Sequence, residues 1–136
     1  MALEVGLSKS RDVVVDRDRT ISFMGEECRV YATPSMVLDI EHLCRDMIVE
    51  QLDEGMDSVG TMVSTSHLAA TLIGMTASFT ATVSKIDGGR VTITIAGRDE
   101  LDAICEATHE RFVVDMAKTA KRLMGKREKF EAMKAG

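Results

Sequence analysis

The sequence predicts an α+β fold in which an antiparallel sheet wraps one long central helix, with an additional C-terminal helix. Three observations point there. One long stretch of helical apolar periodicity follows the only proline, Pro34. Behind it come several stretches of alternating apolar and polar residues joined by short connections, the pattern of neighbouring antiparallel strands. The chain then closes with a Lys- and Arg-rich amphipathic stretch. At 136 residues, 45% hydrophobic and 29% charged, the chain has the size and composition of one globular domain over residues 1–136.

Residues 1 to about 32 read as strand and irregular structure. Leu3, Val5 and Leu7 alternate, residues 13–15 are valines, and the charged run 16–19 marks a turn or loop. Two short apolar pieces, 21–24 and 29–32, flank Gly25-Glu26-Glu27. Thr33-Pro34 then starts a helix, with Thr33 suited to the N-cap and proline to the first helical position. The spacing of Met36, Val37, Ile40, Leu43, Cys44, Met47 and Ile48 carries that helix to about residue 54, with Gly55 ending it.

Glu41 stands out on this helix. With Met36 at zero and roughly 100° per residue, Glu41 falls at about 140°, beside Val37, Cys44 and Ile48. Asp39, His42, Arg45, Asp46 and Glu50 lie on the other side, which leaves Glu41 as the carboxylate bordering the buried stripe. A carboxylate placed there needs a partner, or else reaches outward to water.

Strands follow. Residues 58–66 alternate through Val59, Thr61 and Val63. From 75 to 86, Met75, Ala77, Phe79, Ala81 and Val83 share one face and Thr76, Ser78, Thr80, Thr82 and Ser84 the other. Asp87-Gly88-Gly89 makes a hairpin turn, and Val91, Ile93 and Ile95 continue the apolar face. A break at 97–99 precedes a strand over about 102–115, and an amphipathic helix over 117–134 places Met116, Ala120, Leu123, Arg127 and Phe130 near one face. An open sheet of this kind leaves an edge strand, and edge pairing between two copies is a natural dimer.

Composition narrows the function. Residues 117–136 carry seven basic residues against two acidic ones, a balance of +5, so the rest carries −10 of the net −5. The basic helix is either a solvated face or a surface for phosphates, whereas an acidic body with one tyrosine speaks against general nucleic-acid binding. Cys28, Cys44 and Cys105 are odd in number and lack C-x-x-C spacing, which predicts reduced thiols and neither a disulfide framework nor a zinc site. No apolar run approaches membrane-spanning length and the start lacks a signal-peptide core, so a cytoplasmic protein is expected.

The stretch 59–75, VGTMVSTSHLAATLIGM, is where chemistry is expected. It places His67 at a strand end, with a Ser/Thr-rich approach and a small-residue exit. Histidine titrates near working pH and can move a proton, although a lone histidine can also be a satisfied structural residue.

The order of elements fits the hot-dog architecture, and the chain resembles the hot-dog thioesterases of the fluoroacetyl-CoA thioesterase family. The resemblance rests on Ala32-Thr33 with Glu41 eight residues on, Ser58-Val59-Gly60-Thr61, the stretch 66–71 (SHLAAT), and 108–112 (THERF). These segments lie within residues 30–125 at matching intervals. The resemblance implies that Thr33, Glu41 and His67 form a catalytic set. It further implies that the Gly60 N–H approaches a thioester carbonyl and that Arg111 lies near the acyl pocket. Bland alternatives stand beside each assignment: a helix cap for Thr33, a strand bulge for Gly60, and pairing with Glu106 or Glu110 for Arg111. His109 shares the last motif without a role that the sequence supplies.

The resemblance implies hydrolysis of acyl-CoA to a carboxylic acid and coenzyme A, by a homodimer, without cofactor or metal. Glu41 would serve as base or as nucleophile, and Thr33 would hold water or substrate beside the helix dipole. Eight helical residues separate Thr33 from Glu41 by roughly 12 Å, so a site at a dimer interface, with His67 facing the other chain's helix, eases the geometry. Residues 17–30 depart from the family's aromatic lid, with Phe23 the only aromatic, which favours a general short or medium acyl-CoA over fluoroacetyl-CoA. The alternative is a non-catalytic module that binds acyl-CoA or an acyl carrier. A thioester hydratase would need an Asp/His signature that is not visible.

Overall fold

The computed structural model describes residues 2–136, and its elements follow from the patterns above with a few instructive differences. The chain runs β1 (Ser8–Val14), β2 (Thr20–Ile21), β3 (Val30–Tyr31), α1 (Thr33–Val49), β4 (Met56–His67), β5 (Thr76–Asp87), β6 (Arg90–Arg98), β7 (Ala103–Asp115) and α2 (Met116–Ala135). Five strands form one antiparallel sheet in the order β1-β5-β6-β7-β4, while β2 and β3 pair as a small separate ribbon. This is the hot-dog arrangement: the long sheet wraps α1.

The core lies between α1 and the inward face of the sheet. Met36, Ile40, Leu43, Cys44, Met47 and Ile48 of α1 are buried against Ala77, Phe79, Ala81 and Val83 of β5 and Val91, Ile93 and Ile95 of β6. Each fully buried large aliphatic side chain contributes about 1.5–3 kcal/mol, so this one stripe anchors the helix. On β7 the same inward face runs Cys105, Ala107, His109, Arg111, all buried. Its upper half is thus apolar and its lower half polar.

Three features differ from expectation. The N-cap of α1 is Ala32 rather than Thr33, and Thr33 begins the helix with its hydroxyl turned elsewhere. The helix ends at Val49, not near residue 54, because Gln51 and Leu52 donate to Ile48 and Val49, three residues back. Those shorter-range bonds wind residues 50–54 into turns before Gly55 adopts φ +87°. A third difference concerns α2, whose expected apolar face stays open: Met116, Leu123 and Phe130 are all exposed. No helix among the described residues is long and apolar enough to cross a membrane.

Candidate active site

β4 is the element on which the candidate residues hang. It pairs with β7 along one edge only and is the last strand of the sheet, so its other edge is free. The pairing slips between Gly60 and Met62, where Thr61 is the extra residue of a bulge. The bulge lets Gly60 and His67 both face α1, seven residues apart. Two separate clusters result.

The first cluster sits at the end of β4. Thr33 Oγ1 lies 2.8 Å from His67 Nδ1. The helix cap expected of Thr33 is therefore replaced by a contact with the histidine. Tyr31 meets the His67 ring edge-on, with centroids 6.3 Å apart and planes at 83°. His67 Nε2 is buried and has no hydrogen-bond partner among the described residues. Burial lowers the His67 pKa below its ordinary value, which favours the neutral ring that can accept a proton. Thr33, His67, Tyr31, Ile21, Val30 and Leu68 line a cleft of about 390 Å³. The first turn of α1, with its unpaired N–H groups and positive dipole end, opens beside Thr33.

The second cluster lies at the bulge. A Cβ built on Gly60 would stand 3.1 Å from Glu41 Oε1, 3.2 Å from His109 Cε1 and 3.4 Å from Arg111 Nη1. Glu41, Gly60, His109 and Arg111 therefore converge on one point. Arg111 is not paired with Glu106 or Glu110, which alternate onto the opposite face of β7. Its Nε donates to Ser58 Oγ and its Nη2 to the Ser58 carbonyl, both at 2.7 Å. Its Nη1 donates to His109 Nε2 at 3.1 Å. Because a guanidinium cannot accept, His109 Nε2 must carry the lone pair, and Nδ1–H donates to the Met62 carbonyl at 2.7 Å. His109 is thereby held neutral, and burial pushes its pKa down in the same direction.

Of the residues singled out from sequence, the structure joins Thr33 with His67, and Glu41 with Gly60 and Arg111. It does not join the two groups within one chain. Eight helical residues span about 12 Å and seven strand residues about 23 Å. Sequence reasoning gave His109 no role, yet it is 0% exposed and fixes the guanidinium. The signal was present: Cys105, Ala107, His109 and Arg111 alternate on one face with an apolar start.

Asp39 is a correction. Placed on the solvent side of α1 by the helical wheel, it is 8% exposed. At roughly 300° it is only about 40° from Leu43, on the opposite flank of the apolar stripe from Glu41. Arg19 and Tyr31 satisfy it there. Cys44 is a packing residue; burial pushes its thiol up to about 12.

A family model described as fluoroacetyl-CoA-specific thioesterase matches residues 15–117. The chain is 31% identical over 123 residues to the fluoroacetyl-CoA thioesterase of Streptantibioticus cattleyicolor, covering 85% of this chain and 88% of that one. A thioesterase superfamily member from Thermus thermophilus superimposes with TM-score 0.87 at 31% identity, covering 96% of this chain and 97% of that chain. A solved fluoroacetyl-CoA thioesterase superimposes with TM-score 0.83 at 29% identity, covering 93% and 98% respectively.

Proposed function

Since this chain belongs to the fluoroacetyl-CoA-specific thioesterase family, a family of thioester hydrolases, we propose that it hydrolyses acyl-CoA to a carboxylic acid and coenzyme A. The catalytic set is Thr33, Glu41 and His67, with Gly60 and Arg111 on the substrate. The observation that carries this reading is the 2.8 Å Thr33–His67 contact at the mouth of a cleft, with His67 Nε2 left unpartnered.

The reaction needs water at the thioester carbonyl, a route for one proton, and departure of the thiolate. Glu41 takes the proton of the attacking water, or attacks the carbonyl itself to give an anhydride that water then opens. The neutral His67 ring then takes up the proton released by the attacking water and passes it to the leaving sulfur, with Thr33 fixing the orientation of the ring. The Gly60 N–H and the Arg111 guanidinium stabilise charge gathering on the carbonyl oxygen.

These parts meet when two copies pair antiparallel along the free edge of β4. A two-fold axis near Val63 and Ser64 sets Gly60 of one copy beside His67 of the other. Glu41 of one copy then faces the Thr33–His67 pair of its partner. Val59, Met62 and Val63 are partly exposed on this strand, which suits a strand that is covered in a dimer. The reading places the homodimer in the cytoplasm, acting as a single hot-dog domain without cofactor, nucleic acid or membrane.

The substrate is a short or medium acyl-CoA. Phe23, the one aromatic residue between 17 and 30, is 86% exposed and is absent from the cleft lining, which supports general acyl over fluoroacetyl selectivity. Free thiol release from a panel of acyl-CoAs tests the reading. Release by the wild type that collapses in Glu41→Gln and His67→Ala, with folding retained, supports it. Tight acyl-CoA binding without thiol release from any member would instead identify a binding module.

A further inference from the structure

Asp39 is a buried carboxylate that the proposed reaction leaves unused. It sits on α1, about 1.7 turns beyond Thr33, and its carboxylate makes no hydrogen bond with the candidate catalytic residues. It accepts from Arg19 Nε at 2.9 Å and Nη2 at 3.1 Å, a planar two-point pairing, and from the Tyr31 hydroxyl. Arg19 also pairs with Asp16 at 2.7 Å and its carbonyl accepts from Ala32 N–H at 2.8 Å. Tyr31, 2% exposed, has its own N–H on the Thr71 carbonyl at 2.8 Å. The Tyr31 hydroxyl is thus held by Asp39 of α1, Asp39 in turn by Arg19 in the turn before β2, and the Tyr31 backbone by Thr71 in the loop after β4.

The Tyr31 ring stands in a T-shaped arrangement with the His67 ring. Tyr31 also lines the same cleft as His67 and Thr33. A histidine at the end of an edge strand, exposed to a cleft and held by a single hydroxyl, would otherwise be free to rotate about its Cβ–Cγ bond. We propose that Tyr31, anchored by Asp39 and Arg19, is a positioning residue that fixes the plane of the His67 ring. The anchored ring holds Nδ1 on Thr33. This rests on the proposed hydrolase site and adds to it a device drawn from residues outside the catalytic set.

Supporting chemistry agrees. Burial, with the Asp39 hydrogen bond second, pushes the Tyr31 pKa upward, so the phenol remains a donor throughout the working range. The Arg19 pKa is raised, first by its hydrogen bond to Asp39, so the anchor stays charged. Asp39 thus has a guanidinium and a phenol donor as its partners.

The test uses the full-length protein with Tyr31→Phe, Tyr31→Leu and Asp39→Asn. Tyr31→Phe keeps the ring and loses the anchor; Tyr31→Leu loses both; Asp39→Asn weakens the Arg19 pairing. Two readouts are taken: steady-state thiol release, and the imidazole ¹⁵N and ¹H resonances of His67. Expected for Tyr31→Phe is a fall in kcat of about tenfold with KM within about twofold, because a displaced proton carrier costs rate rather than ground-state binding. The His67 imidazole signals should broaden or shift in the same variant, and more so in Tyr31→Leu. Unmoved imidazole signals in Tyr31→Phe, together with kcat within twofold of wild type, would overturn the proposal. If Tyr31→Leu fails to fold, the conservative Phe and Asn changes still decide it. Absence of thiol release by the wild type would sink the hydrolase reading alone, since the imidazole signals report the positioning without turnover.

Discussion

Replacing Gly60 by alanine puts one methyl group into the point where three side chains converge. The new Cβ would stand 3.1 Å from Glu41 Oε1, 3.2 Å from His109 Cε1 and 3.4 Å from Arg111 Nη1. The first two distances are tighter than ordinary van der Waals contact by a few tenths of an ångström. His109 is pinned by the Met62 carbonyl and by Arg111, and Arg111 by Ser58, so neither of those side chains can yield cheaply. Glu41 has no comparable anchor among the described residues, and it is the group that moves. Loss of glycine freedom in the unfolded chain favours alanine by about 0.4–1 kcal/mol, whereas overpacking costs about 1–3 kcal/mol. The net expectation is a loss of up to about 2.6 kcal/mol, a size that a thermal melt resolves. Activity should suffer more than stability, because a displacement well under 1 Å at a catalytic carboxylate costs roughly 10- to 100-fold in kcat/KM. Thiol release and a melting curve on the same preparation measure both. Gly60→Ala with kcat/KM within twofold of wild type would refute the convergence of Glu41 and Gly60 on the substrate.

Further outcomes follow from the same geometry. Arg111→Lys keeps the charge but cannot span Ser58 Oγ, the Ser58 carbonyl and His109 Nε2 together; it should lower stability by about 1–3 kcal/mol, and a denaturant titration unchanged from wild type would contradict this. His67 and His109 have folded pKa values below the ordinary 6.5, chiefly through burial. Below pH 6.5 the unfolded chain therefore binds protons that the folded chain resists. Stability is fully present above that pH and falls as the pH drops toward the folded values. Melting temperature followed from pH 8 down to 5 should decline below about 6.5, and a flat profile would count against neutral buried histidines. Removing residues 126–136 should shift the melting temperature by no more than about 2 °C, because α2 contributes no buried residue; a large shift would show an unrecognised packing role.

Much of this molecule could be read from the chain. The alternation of Ala77, Phe79, Ala81 and Val83 against serines and threonines, and the continuation through Val91, Ile93 and Ile95, determine which face of the sheet covers α1. Period-2 and period-3.6 patterns are strong where apolar and polar residues segregate cleanly. They fail where a polar residue is buried with a distant partner. Asp39 illustrates this, since its partners are Arg19 and Tyr31, one of them twenty residues away, and its place about 40° from Leu43 on the wheel is the one local sign of burial.

The site was legible as a set of residue types and not as an assembly. The spacing of Thr33, Glu41 and His67 carried the family resemblance. The division into a Thr33–His67 pair and a Glu41–Gly60–His109–Arg111 cluster depends on the Thr61 bulge and on the direction of β4, which the alternation of residues 58–66 did not reveal. The end of α1 was missed for a smaller reason. Helical periodicity ran on past Val49, while backbone bonds to Ile48 and Val49 had already tightened the chain into turns.

The central claim is that each active site takes His67 and Thr33 from one copy and Glu41 and Gly60 from the other. Co-expressing Glu41→Gln chains with His67→Ala chains tests it most directly. Each mixed dimer has one site with both groups intact and one with neither. Statistical pairing makes about half of the dimers mixed, so thiol release should recover to about one quarter of wild type, from two parents that are each nearly inactive. Mixtures no more active than either parent would contradict a shared site and place the whole reaction within one chain.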